Sequence, residues 1–84
     1  MSLMSPEQCR AARGWLRWSR SDLAAKAAVP LNVIHDFESD RRLPVAVNLQ
    51  AIRKAFYDAG LRLARRRGRE AIEVLRPTQP RSVS

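Results

Sequence analysis

The chain has 84 residues, enough for one small domain. Its formal net charge is +8, and 14 of its 16 basic residues are arginine, whose planar fork suits phosphate oxygens better than lysine's point charge. A single cysteine, Cys9, excludes an internal disulfide. With one histidine, His35, a single chain cannot assemble a protein-only zinc site. No apolar stretch approaches the roughly 18 residues of a membrane span.

Met1-Ser2-Leu3 reads as a remnant ahead of a start at Met4, and the absence of an early apolar region points to the cytoplasm. Ser5-Pro6-Glu7-Gln8 opens the first predicted helix: Ser5 caps, Pro6 suits the first helical position, and Gln8 completes a capping box. Cys9, Ala12 and Leu16 then recur at helical spacing, which predicts a helix from about Pro6 to Leu16. Ser19 and Asp22 repeat the capping box, and Leu23, Ala24 and Ala27 form the inner face of a second helix. Only Ala28, Val29 and Pro30 separate it from a third, about Leu31 to Ser39, with Ile34 and Phe37 inward. Asp40 to Pro44 is a polar connection. A fourth helix, about Ala46 to Ala59, carries Leu49, Ile52 and Phe56 and stops at Gly60.

After Gly60 the period changes. Leu61, Leu63, Ile72 and Val74 alternate with charged residues around Arg65-Arg66-Arg67-Gly68-Arg69, which reads as a short hairpin with a basic turn. The rival is a fifth helix with Leu61, Ala64, Gly68 and Ile72 on one face, weakened by Gly68. The apolar residues Leu61, Leu63, Ile72, Val74 and Leu75 serve either a contact between subunits or the domain's own core. Trp15 and Trp18 read as core or dimer surface. Pro77–Ser84 has the composition of a disordered tail. The expected fold class is therefore all-α: a compact four-helix domain over residues 5–60, a hairpin or dimerisation extension over 61–76, and a tail over 77–84.

Two short helices joined by three residues, with small alanines at the crossing, make a helix-turn-helix geometry. The stretch Pro6–Gly60, about two-thirds of the chain, resembles the xenobiotic-response-element (XRE) type of helix-turn-helix regulator, relatives of the phage repressor and Cro domains. The resemblance rests on Ser5-Pro6-Glu7-Gln8, Leu16, Trp18-Ser19, Leu23-Ala24, Ala27, Val29, Ile34, Phe37-Glu38, Arg41-Arg42, Pro44, Leu49 to Arg53, Phe56 and Ala59-Gly60. It implies a repressor-like domain whose third helix enters the DNA major groove. Base contacts then fall to Leu31, Asn32, Val33, His35 and Asp36. Asn32 is the best reader, since its amide can pair bidentately with adenine, while Leu31 or Val33 suits a thymine methyl. Phosphate contacts fall to Ser19, Arg20, Arg41 and Arg42. Arg13 and Glu38 match a salt bridge that locks the first and third helices of the family.

Three positions depart from the pattern. Ala28 stands where glycine is common, Pro30 replaces a Ser or Thr cap, and the third helix holds Asp36 but no Arg, Lys or Gln. The expected function is a DNA-binding regulator of transcription acting as a homodimer on duplex DNA. The alternatives are an antitoxin that also captures a protein partner, and a helix-turn-helix module that binds only proteins. No nucleophile–base pair, carboxylate pair or phosphate-binding glycine loop argues for an enzyme, and no cofactor, metal or membrane contact is expected.

Overall fold

The computed structural model describes residues 4–75. Helices α1 (Pro6–Leu16), α2 (Arg20–Ala27), α3 (Leu31–Glu38) and α4 (Ala46–Asp58) are followed by strands β1 (Leu61–Arg66) and β2 (Arg69–Val74), which pair antiparallel from Leu61↔Val74 to Arg66↔Arg69. This corrects the all-α expectation: the chain folds as four helices plus a two-stranded hairpin. The physical reason lies in α4, whose inner face is covered by β1. Alternation puts Leu61 and Leu63 into the same core as Ile34, Phe37, Ile52 and Phe56. The hairpin therefore completes the helical core, and the fifth-helix alternative is overturned. Leu61 and Leu63 are spent inside the domain, and only Val74 and Leu75 of that group are exposed. The predicted tail at Pro77–Ser84 lies outside the described residues.

Both capping boxes form. Ser5 Oγ accepts from the Gln8 amide at 3.0 Å, and Ser19 Oγ accepts from the Asp22 amide at 2.9 Å. Their reciprocal bonds, to Gln8 Oε1 and Asp22 Oδ2, are also made. The second box holds the Asp22 carboxyl below the usual carboxylate range, because that carboxylate accepts from the Ser19 amide. The starts of α3 and α4, at Pro30 and Val45, have no side-chain cap.

The ends of α1, α2 and α3 follow a common pattern that no glycine announces, whereas α4 is followed by Gly60 at φ 97°, as the sequence predicts. Arg17, Ala28 and Asp40 each adopt the left-handed region, with φ of 60°, 58° and 62°. Behind each, the chain bonds back twice onto the preceding turn. Trp18 N–H donates to Arg13 O, Val29 N–H to Ala24 O and Arg41 N–H to Asp36 O, as in a Schellman closure. A Cβ in this region costs about 1–2 kcal/mol. Ala28→Gly is accordingly expected to raise stability by about 0.5–1 kcal/mol once the greater freedom of the unfolded glycine chain is set against it. A thermal melt checks this, and an unchanged or lower midpoint would contradict it.

The basic turn is shorter than the predicted Arg65–Arg69. Only Arg67 and Gly68 form it, with φ of 54° and 77°, the pair of positive values a tight type I′ hairpin requires. Arg65, Arg66 and Arg69 belong to the strands. The Gln8 side chain fixes the hairpin against α1. Besides closing the α1 capping box, its Nε2 donates to the carbonyls of Ala64 (2.8 Å) and Ala71 (3.0 Å), which face each other across the strands. Trp18 stacks on Phe56, with centroids 5.8 Å apart, and the Lys26 ammonium lies over the Trp18 ring, 5.1 Å from its centroid; Trp15 is exposed. Among the described residues no helix is long and apolar enough to cross a membrane.

Candidate nucleic-acid interface

Ile34 and Phe37 anchor α3 in the core, and helical periodicity then turns Leu31, Asn32 and His35 outward. Leu31 is 47% exposed, Asn32 and His35 are exposed, and Val33 and Asp36 are half-buried. No described segment covers this face. The nine residues expected to meet DNA all line depressions that flank α3. Ser19, Arg20, Leu31 and His35 share one beside the start of α2. Asn32, Val33, Asp36 and Arg42 share another, smaller one, about 160 Å³, at the start of α4. Arg41 lines a third with Arg42.

Glu38, the last residue of α3, sets the pose of this helix. Its side chain is 0% exposed, and its carboxylate is met by three donors. Arg13 of α1 closes a two-pronged bridge, Nε to Oε2 and Nη2 to Oε1, both at 2.7 Å. Cys9 Sγ lies 3.1 Å from Oε2, and Arg20 Nε lies 3.2 Å from Oε1. Arg10 adds a bond to the Glu38 carbonyl. Burial alone would raise the Glu38 pKa, but the bonds from Arg13, Cys9 and Arg20 prevail and hold it below the ordinary glutamate value. The same contact raises the Arg13 pKa. Burial first, and then Glu38, push the Cys9 thiol up, so it is an inert core group rather than a nucleophile.

Arg20 is not the free phosphate contact the sequence suggests. Its Nε is bound to Glu38, and its Nη1 lies 2.9 Å from His35 Nδ1. Arginine can only donate, so Nδ1 must accept, which leaves the proton of the neutral imidazole on Nε2. Arg20 thereby gives His35 a fixed outward donor. Two guanidinium groups against one carboxylate also leave the α2–α3 crossing with a net positive charge.

Ser19 accepts a backbone bond within its capping box and keeps its O–H as a donor toward a ligand. Arg41 and Arg42 have no charged side-chain partner among the described residues. Their backbone amides both donate to Asp36 O, at 2.8 and 3.3 Å, which pins them against the last turn of α3. Asn48, on the first turn of α4 beside Asn32, is a polar neighbour that the sequence reading passed over. Its place two residues into a helix that lacks a side-chain cap was the available signal. Next to it, Leu43, Val45 and Val47 are 57%, 63% and 74% exposed. No family model matches this chain, and no curated protein matches it.

Proposed function

We propose that the chain is a sequence-specific DNA-binding regulator of transcription, of the XRE helix-turn-helix type, acting as a homodimer on two-fold duplex sites. One observation carries the reading. A short helix, locked from behind by Glu38, exposes Asn32, His35 and Leu31 between an α2 N-terminus on one side and the unpaired Arg41 and Arg42 on the other. An amide and an apolar tip of this kind match the adenine edge and the thymine methyl in the major groove, and the flanking donors match the phosphates. The test is selection from a random duplex library. The wild-type chain is expected to enrich a defined half-site. Asn32→Ala is expected to lose about 1–3 kcal/mol of preference at one adenine position. Failure to enrich any site, or an identical site for the variant, would remove the reading.

A second reading, a protein-binding module such as an antitoxin, is favoured by the exposed Leu43, Val45 and Val47 beside the same helix. An antitoxin would still enrich a site while also capturing a protein partner, whereas a module that binds only proteins predicts that the library selection yields nothing.

A further inference from the structure

The hairpin tip is crowded with positive charge. Arg66 and Arg69 stand directly opposite each other, and Arg67 occupies the turn between them. Like charges in facing positions work against a two-stranded pair. Internal acids relieve only part of this: Glu73 takes Arg66 and Arg62, and Glu70 lies 3.8 Å from Arg65. Arg67 and Arg69 have no side-chain partner among the described residues. The tip is also held in place. Leu61 and Leu63 are in the core, and the Gln8 amide grips Ala64 and Ala71 across the strands. Finally, Arg65 lines the same cleft, about 350 Å³, as Arg41 and Arg42. Through Arg65 one face of the hairpin tip adjoins the basic end of α3, with Arg67 at the turn beside it, whereas Arg66 and Arg69 lie on the opposite face of the strand pair.

We infer that the hairpin tip is a second phosphate-gripping element: with α3 against duplex DNA, Arg65 and Arg67 contact the sugar–phosphate backbone beyond Arg41 and Arg42. The inference rests on the DNA-binding reading and extends its footprint. Guanidinium groups bind phosphate oxygens in pairs, and an anion there removes the repulsion that the hairpin carries when alone. The tip has no apolar residue to enter a lipid surface, and it offers arginine rather than a base-reading amide. Its contribution is to grip strength, not to sequence choice.

The test compares the salt dependence of duplex binding for the wild-type chain and for Arg65→Gln/Arg67→Asn, in which asparagine tolerates the left-handed turn position. Two lost phosphate contacts should make the slope of log K against log salt shallower by about 1.8 per subunit, with the selected site unchanged. An unchanged slope, with wild-type binding intact, overturns the inference but not the DNA-binding reading, and leaves the tip to an acidic protein partner. An equal loss per charge in Arg53→Gln/Lys54→Gln, on α4, also overturns it, because net charge then explains the effect. Absence of salt-dependent binding by the wild-type chain overturns both. Should the double variant not fold, arginine-specific modification of the wild-type chain decides: duplex DNA is expected to protect Arg65 and Arg67, and full reactivity in its presence counts against the inference.

Discussion

Glu38→Ala is expected to cost about 3–5 kcal/mol, the range found when one member of a buried ion pair is removed. The substitution strips the anion from Arg13 and Arg20 and the acceptor from Cys9, while the Arg13 Nη1 bond to Trp18 O stays in place. A domain this small sits at the low end of the roughly 5–15 kcal/mol typical of folded proteins, so the loss removes most of its stability. Urea titration gives the number. A loss below about 1 kcal/mol, the range for exposed pairs such as Lys54–Asp58, would show that the bridge does not lock the helices. Replacing both partners, Arg13→Leu with Glu38→Leu, is expected to recover much of the loss, since the buried pair is then gone and Arg20, 39% exposed, can turn its freed charge to solvent. The single variants separate packing from charge, and the cycle measures their coupling.

The same residue sets the acid limit of the fold. Its folded pKa lies below the ordinary value of 4.5, so the folded state prefers the carboxylate. The resulting stability is fully present above that ordinary value and is lost as pH falls through the folded value. Asp22 is shifted in the same direction and adds the same sign. Stability is therefore expected to be flat with respect to these two groups near neutrality and to decline below about pH 4.5, with a smaller decline in Glu38→Gln.

Affinity for duplex DNA, on the proposed function, is expected to fall by roughly 10⁵ between 50 and 200 mM salt. About five phosphate contacts per subunit of a dimer give a slope near −9. The geometry redistributes those contacts. Arg20 is held between Glu38 and His35, so Arg41 and Arg42 become the main charged contacts beside α3, with the Ser19 hydroxyl and the first amides of α2 adding uncharged ones. Arg41→Gln/Arg42→Gln, measured by anisotropy over a salt series, should make the dimer slope shallower by about 3.6. A wild-type slope near zero would leave phosphate contact without support. A full slope in the double variant would move the contacts elsewhere on the chain. Arg20→Gln differs from both, because Arg20 bridges α2 and α3. It is expected to weaken folding and to free the His35 ring, changing site preference more than salt slope.

The sequence by itself determined the local elements. Ser5 with Gln8 and Ser19 with Asp22 are decided within one helical turn, so their capping boxes could be read directly. The spacing of Ile34 and Phe37 settled which face of α3 points outward, whereas the two-residue alternation after Gly60 favoured strand but left a fifth helix open until the hairpin was seen. The pairing of Arg13 with Glu38 was legible only through the family resemblance. The tertiary structure decided what depends on residues far apart in the chain. Three helices close at Arg17, Ala28 and Asp40 without a glycine, because packing of the next element outweighs the local cost of a Cβ there. Gln8 reaches strands more than fifty residues away, and Arg20 turns from solvent toward Glu38. The hairpin's apolar residues, which the sequence left open between a subunit contact and the domain's own core, went into the core because α4 had an apolar face left to cover. Long polar side chains find partners by three-dimensional proximity and desolvation, and neither leaves a periodic trace along the sequence.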